Sequence, residues 1–164
     1  MAAAQLLLDL LRARGPSGRE DEPARVWRDA AAAFAEVTTD GLGSSVARIG
    51  QSDGPLLAIV GHIDEIGLAI THVDEHGFAS FATIGGQRAE ALYGQRVEIL
   101  ARRAGGGAGA VVPAVIGRKE RDTLGPGEEP KRTTMDELYL DLGVPSREDA
   151  LALVQPGDVA VHVG

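Results

Sequence analysis

Leu56-Leu57-Ala58-Ile59-Val60-Gly61-His62-Ile63-Asp64-Glu65-Ile66-Gly67 is the stretch on which the reading of this chain turns. Its first five residues are an uninterrupted apolar run, the pattern of a strand covered on both faces. The run then opens into polar residues at His62 and Asp64. In open α/β sheets, ligand sites lie beyond the carboxyl ends of such strands. Side chains at i and i+2 share a face of an extended chain, so the imidazole and the carboxylate are placed side by side. A metal-bound imidazole needs its second ring nitrogen held, commonly by a carboxylate, to fix tautomer and orientation. His62 as a metal ligand with Asp64 behind it therefore makes chemical sense. A hydrogen-bonded histidine near a strand end, with no metal, accounts for the same spacing.

Upstream, Leu6, Leu7, Leu10 and Leu11 fall at i, i+1, i+4 and i+5, one stripe of a helix. Asp9 and Arg12 interrupt the apolar run and no basic segment precedes it, so this start reads as an amphipathic helix, not a signal peptide. Gly15-Pro16 ends it. Ser17-Gly18-Arg19-Glu20 has the spacing of a capping box, with Ser17 at the N-cap of a second helix that carries Trp27, Ala31 and Phe34 on one face. Both helices are expected to pack on a sheet. Val37–Thr39 and Ser45–Ile49 read as strands joined through Asp40-Gly41-Leu42-Gly43.

Downstream the text is nearly all strand and turn. Leu68–Val73, Phe78–Ile84, Val97–Leu100, Val111–Ile116, Leu138–Leu142 and Val159–Val163 are short strand candidates, and Asp74-Glu75-His76-Gly77 is a hairpin turn. Ser146 caps a helix over Arg147–Val154, while Arg102–Ala110 and Arg118–Asp136 have loop composition. The change of texture near residue 68 divides the chain into 1–68 and 69–164.

The bulk numbers narrow the function classes. With 164 residues the chain can build one full core or two small ones. A net charge of -8, without a basic run, argues against a nucleic-acid partner. There is no cysteine, which excludes thiolate metal sites and cysteine nucleophiles. No stretch reaches the ~20 apolar residues that span a bilayer, so no membrane partner is expected and the expected location is cytoplasmic.

Several motifs together resemble the M42 family of metallo-aminopeptidases, of the glutamyl or tetrahedral aminopeptidase type. Pro16-Ser17-Gly18-Arg19-Glu20 is similar to the family's Pro-Ser-Gly-x-Glu opening, and Asp40-Gly41-Leu42-Gly43 to its Asp-x-Leu-Gly. His62 to Gly67 resembles its His-x-Asp-Glu-Ile-Gly signature. Thr71-His72-Val73-Asp74, Ile84-Gly85-Gly86, Gly94-Gln95-Arg96-Val97, Tyr139-Leu140-Asp141-Leu142-Gly143 and Gly157-Asp158 follow in the family's order.

The resemblance implies an α/β fold: part of a zinc-peptidase-like catalytic domain over 1–68 and an inserted β-rich, PDZ-like small barrel over 69–164. It implies peptide substrates cleaved from the N-terminus, a divalent metal pair (zinc or cobalt), and homo-oligomerisation through the inserted domain. Two roles carry over by residue, His62 as a metal ligand and Asp64 as its orienting catalytic carboxylate. The family's bridging aspartate, Glu-Glu pair, further acidic ligand and second histidine follow the inserted domain. On that basis the chain is expected to be an N-terminal half, inactive alone. Glu128-Glu129 reads as a solvated loop within the insert, His72 on its apolar strand reads as structural or surface, and His76 and His162 lack an acidic partner at ligand spacing; Glu65 either faces substrate or braces its loop. Two other readings stand beside this one. One is a non-catalytic β-module whose strand edges stay open for a partner subunit, with Leu56–Val60 exposed and prone to association. The other is a His-x-Asp metallohydrolase of the M20 or M28 type.

Overall fold

Val97, Ile99 and Ala101 are buried while Arg96 and Arg102 point outward, the alternation of a strand with one face on a core. That strand belongs to the second of two compact units, Met1–Glu65 and Ile66–Gly164, in a computed structural model that describes residues 2–50, 54–102, 108–119 and 132–163.

In the first unit, α1 (Ala2–Arg12) packs on α2 (Asp21–Ala31), and α2 packs on a two-stranded antiparallel ribbon of β1 (Glu36–Thr39) and β2 (Ser45–Arg48). The ribbon turns at Asp40, whose Oδ1 accepts the N–H groups of Leu42 and Ser44, both at 2.9 Å. The leucine stripe of α1 is only half covered: Leu6 and Leu10 are partly buried, Leu7 and Leu11 exposed. Helix α2 buries Pro23, Ala24 and Ala31; Trp27 is partly buried, and Phe34 lies past the helix end and is exposed.

Two further expectations fail in this unit. Ser17 and Glu20 form no capping box: the N-cap of α2 is Glu20 itself, without a side-chain cap, because the Ser17 hydroxyl is engaged elsewhere. Leu56–Val60 is not a strand, and Leu56, Leu57, Ile59 and Val60 are 83–93% exposed. A strand is defined by its neighbours, and among the described residues none lies alongside this run. Its exposure is the one anticipated for an apolar strand without its sheet.

The second unit is a closed antiparallel barrel in the order β3-β4-β7-β6-β5-β8. The strands are β3 (Gly67–Val73), β4 (Ala79–Ile84), β5 (Arg96–Arg102), β6 (Ala108–Arg118), β7 (Leu138–Asp141) and β8 (Val159–His162). Asp74 shapes the β3–β4 hairpin by accepting the N–H groups of His76 and Phe78 on Oδ1. Leu68, Ile70, Val97, Ile99, Ile116 and Leu140 fill the interior, and each such aliphatic side chain contributes roughly 1.5–3 kcal/mol on burial. Leu92 of α3 (Ala89–Leu92) and Ala150 of α4 (Arg147–Leu153) join the same core. Ser146 caps α4, accepting the Asp149 N–H at 3.2 Å.

Closure depends on β8, which pairs with β3 on one side and β5 on the other. The fully buried Asp158 begins it: Oδ1 accepts the Arg102 backbone N–H at 3.1 Å and Oδ2 that of Gln155 at 2.9 Å. A closed ring has no open edge, so the expectation that these strands keep their edges for pairing does not hold. Leu68, read as the last residue of the first region, lies fully buried in the barrel core, because β3 already begins at Gly67. Sequence reading also missed α3 and a 3-10 turn at Met135–Glu137. In that turn Thr134 and Glu137 form a genuine capping box inside a stretch read as loop.

Candidate active site

The site is built by two short segments of the first unit, Gly15–Glu20 and Gly61–Glu65. Pro16 and Glu65 form an isolated parallel bridge, the Glu65 N–H donates to the Gly15 carbonyl at 2.9 Å, and the Gly15 N–H donates to Glu65 Oε1 at 2.9 Å. Glu65 thus uses both backbone and side chain to hold the strap. A Cβ on residue 15 would collide with the Pro23 ring, so only glycine lets the strap run this close to α2. After buried Pro16 the chain turns at once, with the Arg19 N–H on the Pro16 carbonyl at 2.8 Å and Gly18 at φ +86°. A type II turn requires that positive φ at its third residue.

The turn puts the Ser17 hydroxyl on Asp64 Oδ2, a short hydrogen bond. The other oxygen, Oδ1, lies 2.9 Å from His62 Nδ1. Each carboxylate oxygen therefore has its own partner. Ser17 and then His62 hold the Asp64 carboxyl below its ordinary pKa of 3.8, so at neutral pH it is a carboxylate that accepts from both. Neutral His62 then carries its proton on Nδ1 and presents the lone pair of Nε2 outward. Its side chain is 86% exposed, that of Asp64 35%.

That arrangement fits a metal ligand: a neutral imidazole with one nitrogen held by a carboxylate and the other unengaged among the described residues. It does not make a complete site. Among the described residues no group of three or more His, Asp or Glu side chains could hold an ion. Beside Asp64 is a recess of about 180 Å³, lined by Glu20, Asp21, Arg28, Leu42, Ser44 and Ile63 among others. The structure brings His62 and Asp64 together, and it adds Ser17, which sequence reading had assigned to a helix cap. Ser17 and Asp64 are 47 positions apart, so no local spacing rule could have joined them.

The other histidines sit elsewhere. His72 is exposed on β3, and His76 is exposed with Nε2 3.7 Å from Glu75. His162 Nε2 meets Gln87 Oε1 at 2.8 Å, while Gln87 Nε2 donates to the Gly67 carbonyl. Glu128 and Glu129 lie outside the described residues.

A family model for M42 glutamyl aminopeptidases matches residues 43–164. The chain belongs to this family. The M20 and M28 alternatives fall with that match. FrvX of Escherichia coli K12 is 38% identical over 146 residues, 88% of this chain and 39% of its own length. The lysyl aminopeptidase of Pyrococcus furiosus is 28% identical over 152 residues, 89% of this chain and 41% of its own. Among solved structures, a TET aminopeptidase from a marine-sediment Thaumarchaeota archaeon is 30% identical with a TM-score of 0.86, over 99% of this chain and 45% of that one. The chain thus spans about two fifths of the length of the curated M42 relatives it matches. Among the described residues no helix is long and apolar enough to cross a membrane.

Proposed function

We propose that this chain carries part of the active site of a metal-dependent aminopeptidase. In this reading His62 binds one ion of a zinc or cobalt pair through Nε2, and Asp64 holds His62 in that tautomer. The observation that carries the reading is the Asp64 carboxylate, bonded at one oxygen to His62 Nδ1 and at the other to Ser17. When bound, a co-catalytic metal pair supplies a polarised scissile carbonyl and an activated water.

The chain's own residues orient and position. Asp64 raises the basicity of the outer imidazole nitrogen and stops the ring from flipping. Glu65 and Gly15 fix the loop that carries both residues. The remaining ligands and the general base would come from outside the described residues. Substrates in this reading are peptides shortened from the N-terminus, and the proposed location is the cytoplasm. The Pyrococcus horikoshii TET1 peptidase, 28% identical to this chain, assembles into a tetrahedron or an octahedral shell. We take association of copies through the barrel unit as the corresponding proposal here. An α/β lobe carrying the ligand and a PDZ-like barrel carrying the assembly surface would divide the labour.

The test replaces the matching 152 residues of the P. furiosus lysyl aminopeptidase with those of this chain, and follows lysyl-nitroanilide hydrolysis. Metal-dependent turnover is expected, falling at least about 100-fold in His62→Ala, the upper range for disrupting a metal's surroundings. The 164-residue chain alone is expected to show no turnover above its own His62→Ala variant. A chimera that hydrolyses equally well without His62 would defeat the assignment.

A further inference from the structure

We propose that Ser17 is the positioning residue of this site: its hydroxyl sets the Asp64 carboxylate, and through it the tautomer of His62. The consequence for metal affinity rests on reading His62 as a ligand; the tautomer effect does not.

Asp64 is partly exposed at the edge of the recess, and two hydrogen bonds, one to each oxygen, fix its carboxylate. His62 Nδ1 also lies 3.1 Å from the Asp64 backbone carbonyl. Removing the Ser17 bond leaves the carboxylate able to rotate away, and the Nδ1–H form then keeps only that carbonyl and part of its advantage over Nε2–H. The rest of the local structure holds Ser17 in place. The Pro16–Glu65 bridge, the paired Gly15–Glu65 hydrogen bonds and the turn closed by Arg19 onto Pro16 bring residue 17 to Asp64. Glu20 Oε1 adds a bond to the Gly18 N–H at 2.6 Å. None of these contacts uses the Ser17 side chain. The strap should therefore survive its loss, and the hydroxyl is left with a single partner, Asp64.

The experiment reads the His62 tautomer directly, by long-range proton–nitrogen NMR correlation on the metal-free chain at neutral pH. Four forms are compared: the unchanged chain, Ser17→Ala, Ser17→Thr and Ser17→Val. Threonine and valine have nearly the same shape and differ in the hydroxyl, so any effect of size on the strap is common to both. The unchanged chain and Ser17→Thr are expected to hold His62 with Nε2 unprotonated; Ser17→Ala and Ser17→Val are expected to show a mixture. Zn²⁺ affinity at His62 should fall roughly tenfold in the alanine and valine variants and return in threonine, the low end of what outer hydrogen-bond partners contribute. Equal tautomer populations in Thr and Val would overturn the proposal. If the tautomer follows Ser17 but Zn²⁺ leaves Nε2 of the unchanged chain unmoved, the ligand assignment falls and the role of Ser17 stands.

Discussion

The barrel of Ile66–Gly164 and the helical lobe of Met1–Glu65 solve opposite problems with similar sequence material. In the barrel each strand finds two neighbours, the aliphatic side chains point inward, and a buried carboxylate, Asp158, secures the closing strand. In the lobe the apolar run Leu56–Val60 lies exposed, and the order that exists is concentrated where Gly15–Ser17 straps His62–Glu65. Burial organises the barrel; a few directed hydrogen bonds organise the site.

The contrast can be broken at several points. Leu140→Ala removes a side chain with no exposure in the barrel core and should cost about 4 kcal/mol in urea unfolding followed by circular dichroism. Leu57→Ala, at a site 83% exposed, should stay within about 0.5 kcal/mol. Equal losses would mean that Leu57 is covered in solution. Asp158→Ala strands the N–H groups of Arg102 and Gln155 and breaks a pair with Arg102 whose acidic partner is buried. It should cost about 3 kcal/mol. A loss under 1 kcal/mol would show that closure does not need it.

Much of the barrel was legible because its signals are local. The alternation in β5, the Asp74–Gly77 turn and the Ser146 cap each lie within a few residues. The one-turn helix Ala89–Leu92 offers too few positions to show a period. Leu56–Val60 read as a strand because apolar runs report an affinity for burial, whereas strand geometry needs a partner. The Ser17–Glu20 spacing misled for a related reason: a hydroxyl takes the best acceptor in space, and here that is Asp64. At the site, His62 and Asp64 were legible from the i, i+2 rule; Ser17 was hidden by sequence distance.

Smaller effects refine the comparison. The double variant Leu57→Lys/Ile59→Lys should change folding stability by less than about 0.5 kcal/mol, both residues being exposed. By light scattering it separates two modes of association. If copies associate through the barrel, as proposed, the mass is unchanged; a fall to monomer would place the contact on the exposed run instead. The pH response of the site follows from Asp64. Its folded pKa lies below the ordinary 3.8, so its hydrogen-bonded arrangement is complete above that value and is lost as pH falls through the lower folded one. A carboxyl carbon titration by NMR should give a midpoint below 3.8, moving up in Ser17→Ala. An ordinary midpoint in the unchanged chain would contradict the geometry of the strap.

The most direct measurement is the nitrogen spectrum of the four histidines as Zn²⁺ is added stepwise. Nε2 of His62 is expected to shift at lower Zn²⁺ than any nitrogen of His72, His76 or His162, and that first response should vanish in His62→Ala. A spectrum in which His62 does not move, or in which a different histidine responds first, would contradict the assignment of His62 as the metal ligand.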